Sequence, residues 1–186
     1  MTFLTHIQSI IPVSEELRDA LHNITLIKTV KKGQLLIRAG EYCHDIYFVE
    51  SGLLRGFYYQ EEKEITNWFA REGEFATSFY AYITKATSTE TIEALEDCEL
   101  LQLPYTNLQQ LYTRFPETER LGRILTENYY VKLEGRLLGL QFTTAKERYD
   151  NLVKQNGPLV LRAPLGQIAS YLGITQETLS RIRAKQ

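Results

Sequence analysis

The chain has 186 residues, of which 44% are hydrophobic and 24% are charged, and its net charge is −2. This length can bury one medium-sized core or two small ones, and the charged fraction excludes wholesale disorder. No stretch approaches the roughly 18 uninterrupted apolar residues of a membrane span, and the first residues do not resemble a secretory signal. With two isolated cysteines, Cys43 and Cys98, we expect a cytoplasmic protein with no disulfide framework, metal site, cofactor or membrane partner.

Positive charge is concentrated at the C-terminus. Residues 143–186 carry seven basic and three acidic side chains, a net charge of +4, which leaves −6 for residues 1–142. A basic segment on an acidic body is typical of a small DNA-binding module joined to a part that does not bind DNA. The alternative is a solvated helical surface whose charge is merely uneven.

The first hundred residues predict one short helix followed by strands. Ser14 is a suitable N-cap, and Leu17 and Leu21 lie on one face of the helix that would follow. Beyond it, short runs of β-branched and aromatic residues alternate with glycine or polar turns, which indicates a small barrel or sandwich. The predicted strands are 24–30, 34–37, 46–49, 53–59, 65–69, 91–95 and 99–103.

From Pro104 the periodicity becomes helical, and residues 117–141 contain no proline. A helix of about 25 residues would be about 37 Å long. Its two apolar stripes predict packing on its own barrel with one face and on a twin helix with the other, whereas a single buried core helix is the alternative. One stripe comprises Ile124, Asn128, Val131, Gly135, Leu138 and Phe142, and the other comprises Leu121, Leu125, Leu133, Leu137 and Leu140.

The last residues predict a new helix and then a helix-turn-helix. A capping box at Thr144–Glu147 begins a helix that ends near Gln155. Farther on, Ala169 is small where two helices would meet, Gly173 can take the positive φ of a tight turn, and Thr175 can cap the second helix. The shared core would consist of Ile168, Leu172, Ile174, Leu179 and Ile182.

The exposed face of that second helix carries side chains suited to the major groove. Arginine can bond to guanine, glutamine to adenine, and glutamate to the amino group of cytosine. We therefore predict base contacts from Gln176, Glu177, Ser180 and Arg181, and phosphate contacts from Thr175, Thr178, Arg183 and Lys185. A helix face that is simply solvated is the alternative for any one of these residues.

From about residue 12 to 186, the chain resembles the Crp/Fnr regulators. The similarity lies in the glycine-containing turns and neighbouring strand residues of the barrel (Gly33, 39–41, 46–52 and 72–75) and most specifically in the helix-turn-helix. The resemblance implies an α+β protein with three parts: a cyclic-nucleotide-binding-like β jelly-roll barrel (1–115), a long dimerisation helix (116–142) and a helix-turn-helix domain (143–186). It also implies a homodimer that binds palindromic double-stranded DNA, with RNA polymerase as a further expected partner.

The residues that align with the cyclic-AMP site of the family, here called the effector cassette, differ from those of the members that bind cyclic AMP. Their Gly-Glu-Leu aligns with Thr77, Ser78 and Phe79, and their Arg-Ser or Arg-Thr aligns with Ser88 and Thr89. The hydroxyl pair that addresses the adenine aligns with Val131 and Lys132 on the long helix. Because a buried phosphate needs a cation or bidentate donor, we expect that cyclic AMP does not control this protein.

Other pocket chemistries have little support in the sequence. Two cysteines cannot supply the four thiolates of an iron–sulfur cluster, and no motif marks a haem-ligating histidine among His6, His22 and His44. Several aromatic residues could line an apolar effector cavity or could belong to the core. They are Trp68, Phe75, Phe79, Tyr80 and Tyr82.

The chain stops at Gln186, where family members continue into a β-hairpin wing. We therefore expect weaker and more salt-sensitive DNA binding.

The alternative function is a sensor or protein-interaction module that has lost DNA binding. An enzyme on a cupin-like barrel would need clustered histidine and carboxylate ligands, for which the three scattered histidines give no pattern. A ligand in the barrel could alter the angle between the paired helices and so change DNA affinity, or the protein could bind DNA at all times without a ligand. The effector, the operator and the choice between activation and repression stay open.

Overall fold

The computed structural model describes residues 2–185. Two helices come first, α1 (Phe3–Gln8) and α2 (Glu15–Ile24). The helix predicted after Ser14 is confirmed, because the Ser14 hydroxyl accepts a hydrogen bond from the Leu17 amide at 3.1 Å. Ile24 ends this helix and does not begin a strand, so the first predicted strand began two residues too early.

Two four-stranded sheets follow. They are arranged β1-β8-β3-β6 and β2-β7-β4-β5, and this confirms the predicted β-sandwich class. The two-residue strand β6 was not predicted, because so short a segment shows no alternation. The strands are β1 (Leu26–Val30), β2 (Leu35–Ile37), β3 (Asp45–Ser51), β4 (Leu53–Gln60), β5 (Lys63–Arg71), β6 (Phe75–Ala76), β7 (Thr91–Ala94) and β8 (Cys98–Pro104).

The remaining helices include the long helix expected from the periodicity. It is α5 (Pro116–Phe142), which runs unbroken over 27 residues. No helix within residues 2–185 is both long enough and apolar enough to cross a membrane. These helices are α3 (Phe79–Thr84), α4 (Tyr105–Arg114), α5 (Pro116–Phe142), α6 (Ala145–Asn156), α7 (Leu159–Arg162), α8 (Leu165–Tyr171) and α9 (Gln176–Arg183).

The chain divides into two compact units. The first comprises the chain up to Gly56 together with Phe69–Glu127, and the second comprises Phe57–Trp68 together with the chain from Asn128 onward. In the first unit, the N-terminal helices share a core with β3 and β8. Its aromatic centre is Phe48, whose ring centroid lies 5.3 Å from that of Phe3 and 5.1 Å from that of Phe75, both in edge-to-face geometry.

In the second unit, the C-terminal part of α5 carries an apolar face that is exposed in the single chain. Val131 is 65% exposed, Leu137 53%, Leu138 49% and Phe142 77%. This exposure contradicts the alternative of a single buried core helix for this part of α5. In the first unit, by contrast, Leu121 of α5 is buried and belongs to the core. An exposed apolar face of this size is typical of an interaction site.

Candidate DNA interface and effector cassette

The second unit contains the predicted helix-turn-helix, formed by α8 and α9. Ala169 and Ile168 are both 1% exposed, and Leu179 is fully buried, so the two helices share the expected core. Gly173 has φ +66°, and a Cβ at this position would lie 2.9 Å from Leu140 Cδ2. Both the turn conformation and the close approach to α5 therefore require glycine here.

The N-terminus of α9 is capped as the sequence predicts. The Thr175 hydroxyl accepts from the Thr178 amide at 3.2 Å and lies 3.1 Å from the Thr178 hydroxyl. Hydrogen bonds from its own backbone N–H and from Thr175 hold the pKa of Glu177 below its usual range. The Glu177 side chain is therefore an ionised acceptor at neutral pH.

All four predicted base-reading residues are exposed on α9, whereas Leu179 of the same helix is buried. Gln176 and Glu177 occupy its first turn, and Ser180 and Arg181 follow one turn later. Among the predicted phosphate contacts, Arg183 and Lys185 are also exposed. This part of the chain thus presents acceptors, an amide and cations on one accessible helix.

The position of α8 is fixed by three residues that were not predicted from the sequence: Ser170, Arg136 and Arg148. Ser170 Oγ accepts from the Thr66 amide of β5 at 2.9 Å and lies 3.2 Å from the Glu64 carbonyl oxygen. Arg136 of α5 donates to the carbonyl oxygens of Thr66 and Tyr171, each at 3.3 Å. A cation near the last carbonyls of a helix is favourable because these acceptors have no partner within the helix.

Arg148 of α6 adds a second clamp at the same end of α8. Its Nε donates to the Leu172 carbonyl oxygen at 2.8 Å, and another of its nitrogens donates to the carbonyl oxygen of Thr143. The partner of Ser170 lies 104 residues away in the sequence, so no local pattern reveals this arrangement. Together these contacts position the turn from which α9 begins.

In the first unit, the structure brings two residues of the effector cassette together. Ser88 Oγ lies 2.8 Å from Ser78 Oγ, donates to the Glu90 carbonyl oxygen at 2.7 Å and accepts from the Glu90 amide at 3.2 Å. Ser78 is 1% exposed and Ser88 2%. The two positions that align with the glutamate and arginine of cyclic-AMP binders are therefore buried serines that hydrogen-bond to each other.

The other cassette residues have separate surroundings. Thr77 donates to the Asp45 carbonyl oxygen at 2.9 Å, Phe79 is half-buried and Thr89 is exposed. Val131 and Lys132 lie in the second unit, both exposed on α5.

Two cations of the first unit are already paired. Lys85 Nζ lies 3.1 Å from the centroid of the Tyr105 ring and donates to the Tyr82 carbonyl oxygen at 2.7 Å. Arg55 of β4 is 1% exposed, and its guanidinium lies 2.8 Å from Glu93 Oε1. An anion would have to compete with these partners for either cation.

The aromatic residues considered for an apolar cavity fall into different environments. Phe75 belongs to the packed core, Tyr82 is buried against Tyr105 with ring centroids 5.4 Å apart, and Tyr80 is 62% exposed. Phe79 and Trp68 are half-buried. Within residues 2–185, no group of three or more histidine, cysteine or carboxylate side chains is arranged to hold a metal ion.

Comparison with known proteins places this architecture in a defined class. Residues 27–115 match the cyclic nucleotide-binding domain family. The chain is 28% identical over 185 residues to the anaerobic regulatory protein of Haemophilus influenzae, spanning 91% of this chain and 70% of that protein. It is 27% identical over 184 residues to the fumarate and nitrate reduction regulatory protein of Yersinia pestis, spanning 91% and 72%.

Solved structures show the same fold. FixK2 from Bradyrhizobium japonicum superposes with a TM-score of 0.78 at 18% identity, over 87% of this chain and 84% of its own. A CooA mutant from Carboxydothermus hydrogenoformans gives 0.74 at 22% identity, over 92% and 80%. The chain therefore resembles the Crp/Fnr regulators in its fold: a cyclic-nucleotide-binding-like sandwich, a long helix and a C-terminal helix-turn-helix.

Proposed function

We propose that this protein is a sequence-specific transcriptional regulator that binds palindromic DNA as a homodimer and is not controlled by cyclic AMP. The observation that carries the proposal is the geometry of α9. Its buried side holds Leu179 against α8, and its exposed side presents Gln176, Glu177, Ser180 and Arg181. Such a helix fits the major groove, where these side-chain types distinguish base pairs.

The exposed face of α5 supports the dimer. A second copy of the same helix, related by a two-fold axis, would cover Val131 and Leu138, which are one heptad apart and both exposed. Two recognition helices would then enter successive major grooves, and the operator would share the two-fold symmetry of the protein.

Independence from cyclic AMP rests on the neutral cassette. Ser78 and Ser88 satisfy each other, and Lys85 is held by two tyrosines. A cyclic phosphate would lose its hydration without gaining a cation at the aligned position. The residues aligned with the adenine contacts, Val131 and Lys132, supply no hydroxyl.

The test is selection from a pool of duplexes with a randomised centre, with and without cyclic AMP. We expect the same palindromic motif in both arms. A motif that appears only with cyclic AMP would contradict the cassette interpretation, and no motif in either arm would contradict DNA readout.

Two sets of variants separate a regulator from a sensor or interaction module that has lost DNA binding. Arg181→Ala is expected to lower affinity for the selected duplex about 5- to 150-fold if this arginine reads a base. A double Gln176→Ala, Glu177→Ala variant should lose discrimination among half-sites. Unchanged specific affinity in Arg181→Ala and unchanged discrimination in the double variant would show that the base-reading assignment is wrong, whereas a wild-type protein that binds no duplex specifically would favour the non-DNA-binding alternative.

A further inference from the structure

Gly166, in the first turn of α8, has no backbone reason to be glycine. Within residues 2–185 the glycines with positive φ are Gly33, Gly40, Gly52, Gly73 and Gly173, and Gly166 is not among them. It is exposed and helical, a setting in which alanine is the better residue. Folding alone therefore does not explain this glycine.

Its surroundings contain one close neighbour. A Cβ at Gly166 would lie 3.0 Å from Gln176 Oε1, and no other atom outside its own turn would come within 4 Å of that Cβ. A methyl group there would shift the amide of Gln176 by a few tenths of an ångström, because 3.0 Å is shorter than a relaxed carbon–oxygen contact. The end of Gln176 therefore lies directly against the position that a side chain at residue 166 would take.

This arrangement restricts a flexible side chain. Gln176 is the first residue of α9, directly after the Thr175 cap, so its backbone is well fixed while its side chain is exposed. Resting against the first turn of α8 removes some of its rotamers before any ligand is bound. A bidentate amide contact to adenine depends on just such a fixed orientation.

We infer that Gly166 is a specificity-determining position, which acts by leaving room for Gln176 to adopt the orientation that reads one base pair in each half-site. The inference rests on the proposed DNA-binding function and deepens it. Gly166 is a positioning residue, since its effect on DNA passes through Gln176.

The experiment is selection from the same randomised duplex pool with four proteins: wild type, Gly166→Ala, Gln176→Ala and the double variant. We expect Gly166→Ala to weaken the preference at one base pair of each half-site about tenfold and to leave the other positions unchanged. Gln176→Ala should alter the same base pair, and adding Gly166→Ala to it should change nothing more. The melting temperature of Gly166→Ala should equal or exceed that of wild type, because alanine favours the helix.

Four results would overturn the inference. If wild type and Gly166→Ala enrich the same motif equally, Gly166 has no part in specificity although the regulator function stands. The same conclusion follows if Gly166→Ala weakens binding to all duplexes uniformly or acts equally in the Gln176→Ala background, since either effect bypasses Gln176. If wild type enriches no motif, the proposed function and the inference fail together.

Discussion

Replacing Leu138 by alanine tests whether the exposed face of α5 holds two chains together. Leu138 is 49% exposed in the single chain, so about half of its side chain remains to be buried. Burying a whole leucine contributes about 1.5–3 kcal/mol, which makes the remaining half worth about 1 kcal/mol in each copy. A two-fold interface contains the residue twice, so Leu138→Ala should weaken the dimer by about 2 kcal/mol.

That loss corresponds to a dimer dissociation constant about 30-fold higher. Sedimentation equilibrium over a range of protein concentrations measures it directly. Alanine preserves the helix, so the secondary structure seen by circular dichroism should not change.

Leu161→Ala is the matched control. Leu161 lies on α7, outside the heptad stripe, and is 82% exposed. Removing the same atoms there should leave the dissociation constant unchanged. If Leu138→Ala leaves the constant unchanged, or if both variants weaken association equally, the argument that the α5 stripe is the dimer interface is refuted.

Three further predictions concern the stability of each unit. Gly52→Ala should lower the free energy of unfolding by about 2–4 kcal/mol in urea titrations, because φ is +100° and the new Cβ would lie 2.5 Å from a cysteine Sγ. Glu93→Ala should cost about 3 kcal/mol by leaving buried Arg55 without this carboxylate, and replacing both residues by methionine should recover most of the loss. Hydrogen bonds from the backbone N–H and the hydroxyl of Thr144 lower the pKa of Glu147, so the stability this carboxylate adds is present at neutral pH and is lost as pH falls through that lowered pKa. Thr144→Ala removes only the hydroxyl, so an NMR titration should show the pKa of Glu147 moving part of the way back to its usual value, and an unchanged pKa would contradict the contribution of the hydroxyl.

Features with local causes were predictable from the sequence. Ser14, Thr144 and Thr175 each cap the helix expected of them, because an N-cap needs only a short polar side chain followed by a helical pattern. Gly173 was predictable for the same reason, since a tight turn between two helices requires positive φ. The four-residue helix α7 was missed because the proline and glycine before it signal a turn.

Features that depend on distant partners left no such signal. From the sequence, Arg55 would be predicted to be an exposed polar residue of an alternating strand. In the structure it is buried and paired with Glu93, 38 residues away. Ser170 reads as an ordinary helix residue, yet its hydroxyl meets the backbone of β5. In both cases the deciding partner is supplied by the fold, and neighbouring residues carry no information about it. The exposed residues of α9 were therefore predictable from the sequence, whereas the contacts that orient α8 were not.

The effector cassette supports the proposal that cyclic AMP does not control this protein, because its two central positions carry no charge. Removing only the arginine of a glutamate–arginine site would leave a buried carboxylate without compensation, which is strongly unfavourable. Here both aligned positions are serine, and Ser88 bonds to Ser78 and to the backbone of Glu90 without any charge. Replacing both members of a polar pair costs far less than replacing one, because no group is left unsatisfied. The hydroxyls of Ser78 and Ser88 thus have hydrogen-bond partners within the protein, and for this reason we expect the same operator to be selected whether or not cyclic AMP is present.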